Sequence, residues 1–127
     1  MANKAMISIV DDDQSAREGL TDLVSSMGFD AEAFERAEDF LKSARLQSTD
    51  CLITDMRMPG MSGMDLHDRL VASGQHIPTI VITAFPQDSD RVRAEQSGIL
   101  CYLAKPCHED HLMKCIRAAL ADDRRTP

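Results

Sequence analysis

Three consecutive aspartates, Asp11, Asp12 and Asp13, come directly after an apolar segment that has the composition of a buried strand. Two carboxylates about 5 Å apart repel each other by about 3 kcal/mol at an effective dielectric constant of about 20. Solvent, a helix amino terminus, a lysine or a bound cation can offset this repulsion. The cluster is therefore a candidate cation site, and residues elsewhere in the chain must decide between these explanations.

Three further polar residues follow other apolar segments. Asp55 lies in "LITDMRMPG", Thr83 ends "TIVIT", and Lys105 follows "CYLA". Carboxylates completed by water and phosphate oxygens are the ligands that Mg²⁺ prefers. A carboxylate can also be the nucleophile toward phosphorus, while a hydroxyl and an ammonium group stabilise the developing charge. Together these residue types predict Mg²⁺-dependent phosphoryl transfer.

The elements that must position these residues include four near-continuous apolar runs: "MISIV" (6–10), "CLITDM" (51–56), "TIVITAF" (79–85) and "ILCYLA" (99–104). Such runs are typical of strands covered on both faces, as in a parallel sheet. Residues 30–35 form a weaker, edge-like fifth strand. Helical periodicity lies between the strands, and Gly28, Gly74 and Gly98 stand where helices are expected to end. This alternation predicts an α/β fold of parallel strands joined by right-handed crossovers.

Ligands of an open parallel sheet bind at the carboxyl ends of its strands, near the point where the strand order reverses. Each polar residue alone has a simpler explanation: Asp12 as a helix amino-terminal charge, Asp55 as a turn former, and Lys105 as a solvated charge. If strands 1, 3, 4 and 5 are neighbours, however, these side chains meet at one edge of the sheet. Convergent polar groups there are the usual signature of a binding or catalytic site. At the first helix, Ser15 and Glu18 predict a capping box.

Four segments, in this order and spacing, resemble the receiver domain of two-component response regulators: "IVDDD", "TDMRMPGMSGMDL", "IVITA" and "YLAKP". The resemblance implies a flavodoxin-like, doubly wound five-stranded parallel sheet of order 2-1-3-4-5 with five helices. It also implies a receiver domain over residues 1–121 and a polar tail over residues 122–127. The segment "DMRMPGMSG" is most similar to receivers that usually precede a LuxR-type helix-turn-helix output domain.

The resemblance also implies roles for the acidic residues. Asp55 would be the phosphoacceptor. Asp11 and Asp12 would be the acidic pair that holds Mg²⁺, together with Asp55 and the backbone carbonyl of Arg57. The acids of the opening stretch would then tolerate one another because they share a cation.

Other residues would contact the phosphoryl group or respond to it. The resemblance implies that Lys105, joined to Pro106 by a cis bond, contacts the phosphoryl oxygens. Thr83 would be the switch hydroxyl and Tyr102 the switch aromatic, so that phosphorylation changes the surface formed by helix 4, strand 5 and helix 5.

The function that follows is a signalling module which accepts phosphate from a sensor histidine kinase and changes its affinity for a partner. Dimerisation through the helix 4–strand 5–helix 5 surface is compatible with this function. The module is not a classical enzyme, although it would catalyse its own phosphorylation from phosphohistidine and its own dephosphorylation. Two contexts stay open at this point: a free-standing receiver, or the amino-terminal module of a transcription regulator.

Composition limits the other classes of function. A chain of 127 residues with 43% hydrophobic and 28% charged residues suits one globular domain. No apolar run is long enough to cross a bilayer, and the amino terminus lacks the apolar core of a signal peptide, so we expect a cytoplasmic protein without a membrane segment. The net charge of −7 argues against direct nucleic acid binding by the surface as a whole.

Three rival functions have tests in the sequence. An aspartyl-nucleophile phosphatase of the haloacid dehalogenase type needs a second Asp two residues after the nucleophile, where this chain has Arg57. A flavodoxin-like flavin binder needs a Ser/Thr/Gly-rich phosphate loop after the first strand, where three acids would repel phosphate. A degenerate receiver that serves only as an interaction module would lack an acid or Lys105, and all are present.

The four cysteines, Cys51, Cys101, Cys107 and Cys115, form no Cys-x-x-Cys pair, so we expect reduced thiols. Cys107, His111 and Cys115 recur every four residues and could line one helix face as zinc ligands. Small cysteines packed in a helix interface are the commoner case. The sequence leaves the question of a metal at this helix open.

Overall fold

The computed structural model describes residues 4–121, so the predicted polar tail at 122–127 lies outside the described residues. The strands are β1 (Met6–Val10), β2 (Asp30–Phe34), β3 (Cys51–Asp55), β4 (Thr79–Thr83) and β5 (Cys101–Ala104). The helices are α1 (Gln14–Ser26), α2 (Ala37–Lys42), α3 (Gly63–Ala72), α4 (Asp88–Gln96) and α5 (Glu109–Leu120), with a short 3-10 helix at Ala44–Ser48. Within this part of the chain, no helix is both long and apolar enough to cross a membrane.

The five strands form one parallel sheet in the order β2-β1-β3-β4-β5. After β2 the chain crosses to the other side of β1, so the strand order reverses between β1 and β3. This is the doubly wound, flavodoxin-like topology that the sequence predicts. The reversal places the expected ligand edge beside the carboxyl ends of β1 and β3.

Alternate strand positions face opposite layers of helices, because successive side chains of a strand point to opposite faces. The face of the sheet that packs against α1 and α5 carries Ile7, Ile9, Ile53, Ile80 and Ile82. The opposite face, which packs against α2, α3 and α4, carries Val10, Leu52 and Val81. Burial on both faces is the physical reason why the strand sequences are near-continuously apolar.

Glycine ends three of the helices, as the sequence predicts. Gly28, Gly74 and Gly98 follow α1, α3 and α4 with φ angles of 96°, 79° and 85°. A residue with a Cβ adopts this left-handed conformation only with strain, which explains glycine at the helix carboxyl ends.

The start of α1 differs from the prediction. Asp13 is the N-cap residue, and its Oδ1 accepts a hydrogen bond from Ser15 N–H at 3.3 Å. Ser15 therefore lies inside the helix, and the predicted capping box of Ser15 with Glu18 is wrong. Glu18 accepts a hydrogen bond from the side-chain amide of Gln14 at 3.0 Å instead. Aspartate and serine cap helices about equally well, so the local pattern could not choose between the two positions.

A capping box does open α3. Ser62 Oγ accepts a hydrogen bond from Asp65 N–H at 3.1 Å, and the Asp65 carboxylate accepts one from Ser62 N–H at 3.3 Å. These hydrogen bonds with Ser62 hold the pKa of Asp65 below its ordinary value. Because the ionised carboxylate accepts these bonds more strongly than the protonated group, it stabilises the fold above its ordinary pKa and loses that effect as the pH falls through its lowered pKa.

Ser62→Ala should therefore lower the free energy of unfolding by about 1 kcal/mol near neutral pH. The difference from wild type should shrink as the pH falls below about 4 and through the lowered pKa of Asp65, because the carboxylate becomes protonated in both proteins over that range. Urea unfolding at several pH values measures this, with Ser89→Ala on the exposed side of α4 as the control. A difference that does not change with pH would show that the Ser62 hydroxyl does not act on the Asp65 carboxylate.

Two of the cysteines correct the expectation of reduced thiols. Cys101 on β5 and Cys115 on α5 are joined by a disulfide, with their Cα atoms 6.3 Å apart. The packing of α5 beside β5 creates this proximity, which a separation of 14 residues does not reveal. Because the Cys115 sulfur is bonded to Cys101, it is not available as a zinc ligand beside Cys107 and His111. No cluster of candidate metal ligands within residues 4–121 contains these residues.

Candidate functional site

The carboxyl ends of β1, β3, β4 and β5 meet at one edge of the sheet, where the sequence predicts a site. Asp11 follows β1, Asp55 ends β3, Thr83 ends β4 and Lys105 follows β5. The parallel register brings these strand ends level with one another. The peptide bond between Lys105 and Pro106 is cis, as the resemblance implies.

Lys105 pairs with two carboxylates in this pocket. Its Nζ lies 2.8 Å from Asp11 Oδ2 and 3.2 Å from Asp55 Oδ2. The side chain of Asp11 is 1% exposed, that of Asp55 11% and that of Lys105 21%. The contact between Lys105 and Asp11 was not predicted from the sequence. It shows how these two acids coexist in the pocket, since one ammonium group lies within reach of both.

The pKa shifts in the pocket indicate an excess of negative charge. Burial raises the pKa of Asp55 and the charge of Asp11 raises it further, although Lys105 opposes both effects. Burial alone lowers the pKa of Lys105, but the hydrogen bond and charge of Asp11, together with those of Asp55, outweigh burial, and the pKa of Lys105 is raised. Both directions mean that additional positive charge is favoured beside these carboxylates.

Three carboxylates could hold that charge. Oxygens of Asp11, Asp12 and Asp55 lie within 4.8 Å of one another, the cluster of candidate metal ligands found within residues 4–121. Asp11 is buried and Asp12 is exposed, so the cluster opens to solvent on one side. Oxygen donors beside open solvent suit a hard cation that keeps some of its water, such as Mg²⁺. Asp13 has a different place: it caps α1, and its N–H donates to Asp11 Oδ1 at 2.9 Å.

Two contacts that the sequence did not reveal support the acidic loops. The guanidinium of Arg17, in the first turn of α1, donates to the carbonyl oxygen of Asp11 at 2.8 Å. Gly63, the first residue of α3, lies so close to β3 that any Cβ there would collide with the carbonyl oxygen of Asp55. Glycine at this position is therefore required for α3 to start against the strand. A glycine directly after the capping Ser62 is the only signal of this contact in the sequence.

Arg57 links the loop after β3 to α4. Its backbone N–H donates to Asp55 Oδ1 at 3.4 Å. Its guanidinium Nη2 lies 2.6 Å from Asp90 Oδ2 and 3.4 Å from Gln87 Oε1. The sequence drew attention to the backbone carbonyl of Arg57 and did not reveal these side-chain contacts.

Thr83 and Tyr102, the predicted switch pair, lie on adjacent strands. The Thr83 side chain is buried, and its Oγ1 accepts a hydrogen bond from Phe85 N–H at 3.2 Å. Tyr102 is half-buried, and its hydroxyl oxygen accepts a hydrogen bond from the N–H of Gln87, the N-cap residue of α4, at 3.2 Å. Both hydroxyl groups are thus tied to the segment that leads from β4 into α4.

Fold and site together define a doubly wound α/β domain with an acidic pocket and a lysine at the carboxyl edge of its sheet. A family model for the response regulator receiver domain matches residues 7–117. The chain therefore belongs to the receiver domain family of response regulators, the proteins of two-component signalling.

Curated relatives agree with this assignment. The chain is 37% identical over 124 residues to nodulation protein W of Bradyrhizobium diazoefficiens. The matched region covers 98% of this chain and 55% of that protein. It is 39% identical over 121 residues to response regulator protein TodT of Pseudomonas putida. This matched region covers 94% of the chain and 53% of TodT. The chain spans about half the length of these relatives.

Solved structures share the fold. The response regulator StyR has a TM-score of 0.82 and 42% sequence identity, over 93% of this chain and 60% of that chain. The crystal structure of FixJ-N has a TM-score of 0.84 and 30% identity, over 94% of this chain and 96% of that chain. The second match shows that the same five-stranded domain accounts for nearly all of FixJ-N.

Proposed function

We propose that this receiver domain accepts a phosphoryl group on Asp55 from a phosphohistidine of a sensor histidine kinase, with Mg²⁺ as cofactor. The observation that carries the proposal is the position of the Asp55 carboxylate. It lies 3.2 Å from the Lys105 ammonium and belongs to the same oxygen cluster as Asp11 and Asp12. A nucleophile, a cationic contact for phosphoryl oxygens and a cation-binding group thus share one pocket.

In the proposed transfer, an Asp55 carboxylate oxygen forms a bond to phosphorus while the bond between phosphorus and the donor imidazole nitrogen breaks. The imidazole leaves as a neutral group after taking up a proton. Negative charge stays on the phosphoryl oxygens, and the Lys105 ammonium stabilises that charge from a position already set in the pocket. The Arg57 N–H, 3.4 Å from Asp55 Oδ1, helps to orient the carboxylate.

The residues that would hold Mg²⁺ are Asp11, Asp12, Asp55 and the backbone carbonyl of Arg57. Their donors are all oxygen, which fits the preference of this ion, and the excess negative charge of the pocket favours it. When bound, Mg²⁺ supplies positive charge that neutralises phosphoryl oxygens.

The same residues support dephosphorylation by the domain itself. Water attacks phosphorus, the Asp55 carboxylate leaves, and Lys105 again stabilises the charge on the phosphoryl oxygens. The domain would thus catalyse two steps of its own signalling cycle without being an enzyme with a separate small-molecule substrate.

The proposed response starts at Thr83. Its hydroxyl turns from Phe85 N–H toward a phosphoryl oxygen on Asp55, and Tyr102 moves further inward beside β4. Both conformations exist before phosphorylation, which changes their populations. The response appears on the α4–β5–α5 surface, through which a partner or a second receiver would bind with an affinity altered about 5- to 150-fold.

The domain over residues 1–121 would act in the cytoplasm, where the phosphohistidine of a sensor kinase reaches it. The length of the relatives favours an amino-terminal module of a transcription regulator over a free-standing receiver. The net charge of −7 supports a protein partner for this domain rather than direct contact with nucleic acid.

Incubation with acetyl phosphate and Mg²⁺ tests the proposed function. Intact-protein mass should increase by one phosphoryl group, and the adduct should be lost with hydroxylamine, which cleaves acyl phosphates. EDTA in place of Mg²⁺ should prevent the adduct. A protein that never gains the phosphoryl group from this donor or from a phosphorylated histidine kinase would contradict the proposal.

Thr83→Ala should still gain the phosphoryl group yet respond weakly on the α4–β5–α5 surface. The physical reason is that the mutant lacks the hydroxyl that contacts the phosphoryl oxygen, so the coupling of about 1–3 kcal/mol between site and surface is reduced. Amide chemical shifts of residues 86–105, with and without the phosphoryl mimic beryllofluoride, measure the response.

The matched control for this variant is Thr79→Ala. Thr79 is also buried on β4, but at the opposite end, where its hydroxyl donates to the Ile77 carbonyl at 2.9 Å. Thr79→Ala should respond to beryllofluoride as wild type does. If Thr83→Ala responds as fully as its control, the proposed coupling between Thr83 and Tyr102 is wrong.

A further inference from the structure

Arg57 lies two residues after the phosphoacceptor Asp55, and its side chain extends from that loop to the start of α4. Its guanidinium contacts the Asp90 carboxylate at 2.6 Å and the Gln87 side-chain carbonyl at 3.4 Å. The Asp90 side chain is only 17% exposed, whereas that of Arg57 is 57% exposed. The carboxylate is therefore mostly buried, whereas the arginine is exposed and can leave it for solvent or for another anion.

Helix α4 offers little apolar surface to the rest of the fold. Ala94 is its buried residue. Ion pairs also join α4 to α3: the Arg93 guanidinium lies 3.6 Å from Asp65 and 3.3 Å from Asp68. A helix with one buried apolar residue and exposed ion pairs to its neighbours can change its position at low energetic cost.

The contact between Arg57 and Gln87 extends the link to Tyr102. Gln87 is the N-cap residue of α4, and its N–H donates to the Tyr102 hydroxyl at 3.2 Å. One chain of contacts thus runs from the residue beside the phosphoacceptor, through the start of α4, to the aromatic residue on β5. Release of Arg57 would remove its contacts with Asp90 and with the Gln87 side chain at the start of α4, beside the backbone N–H that donates to the Tyr102 hydroxyl.

We propose that Arg57 exchanges partners on phosphorylation: its guanidinium pairs with Asp90 in the unphosphorylated domain and with the phosphoryl group once Asp55 carries it. The inference rests on the proposed function at Asp55. A phosphoryl group carries more negative charge than a carboxylate and matches the planar donor geometry of arginine. The start of α4 is thereby released at the moment when the pocket gains the phosphoryl charge.

Asp90→Asn tests this exchange with beryllofluoride and Mg²⁺ as the probe. The variant keeps the volume of the side chain but no longer competes for Arg57, so the affinity for beryllofluoride should rise about two- to fivefold, the range expected for one exposed ion pair. This gain should decrease as the salt concentration rises, because salt screens the pair that wild type must break. Without beryllofluoride, the Gln87 amide signal should already be shifted toward its position in the wild-type complex.

Three variants make the test specific. Asp88→Asn removes an acid from the same helix turn whose partner is Arg91 of α4 itself, at 3.3 Å, and should behave as wild type. Asp90→Glu keeps the charge and should restore wild-type affinity. Arg57→Gln should shift the Gln87 amide as Asp90→Asn does but gain no affinity, since it also lacks the new contact with the phosphoryl mimic.

Two results would overturn the exchange: an Asp90→Asn affinity equal to that of Asp88→Asn, or an equal gain in Asp90→Asn and Arg57→Gln. Failure of the proposed function gives a different result, because wild type itself would then not bind beryllofluoride at Asp55.

Discussion

Asp55→Asn should abolish the phosphoryl adduct completely while the domain stays folded. The amide has nearly the volume of the carboxylate but lacks the anionic oxygen that attacks phosphorus. Lys105 also contacts Asp11, at 2.8 Å, so the variant should keep the Lys105 ammonium group in the pocket. The measurement is intact-protein mass after incubation with acetyl phosphate and Mg²⁺. The control is Asp22→Asn, at an exposed position of α1.

Stability provides a second readout for the same variant. Burial and the charge of Asp11 raise the pKa of Asp55, so the folded state binds this proton more tightly than the unfolded state does, and ionised Asp55 destabilises the fold near neutral pH. Asp55→Asn should therefore unfold with a higher free energy than wild type at about pH 7. This gain should disappear as the pH falls below the ordinary pKa of an aspartate, where the wild-type carboxyl is protonated in both states.

An adduct of undiminished size on Asp55→Asn would mean that another residue is the acceptor. If the variant loses both the adduct and the fold, it cannot identify the acceptor. The site is then identified on wild type, by the hydroxylamine sensitivity of the adduct and by mapping it to a peptide. Mapping to any peptide other than the one that contains Asp55 contradicts the assignment.

Asp12→Ala should weaken Mg²⁺ binding by at least about tenfold. Asp12 supplies one of the three carboxylate oxygens of the cluster, and the affinity of a hard cation depends strongly on the number of charged oxygen ligands. Asp12 is exposed, so its removal relieves little repulsion in the absence of Mg²⁺ and should change the free energy of unfolding by no more than about 1 kcal/mol. Titration with Mg²⁺, monitored by amide chemical shifts of the β1–α1 loop, gives the affinity.

Asp13→Asn is the matched control for the Mg²⁺ titration. It removes the neighbouring negative charge but keeps an N-cap side chain that accepts the hydrogen bond from Ser15 N–H. Its Mg²⁺ affinity should stay close to that of wild type. Equal losses in Asp12→Ala and Asp13→Asn would mean that the loop attracts cations by its total charge and that Asp12 is not a direct ligand.

The sequence by itself determined the order of the elements and the edge of the sheet where the site forms. Apolar runs buried on both faces indicate parallel strands, and a polar residue lies near the end of each run or directly after it. Because the chain alternates strand and helix, the carboxyl ends of all strands must lie at the same edge. This argument placed Asp11, Asp55, Thr83 and Lys105 together without any coordinates, and the four motifs then identified the family.

Only the tertiary structure decided which side chains contact one another within that frame. Lys105 contacts Asp11 as well as Asp55, Arg57 reaches Asp90, and Cys101 is joined to Cys115. None of these pairs follows a helical or strand spacing, because each joins two elements whose distance depends on strand order and helix packing. At the start of α1, Asp13 and Ser15 are nearly equal as caps in local energy, and the folded chain uses Asp13. Local patterns specify elements and faces, whereas contacts between elements depend on the packed core that holds them.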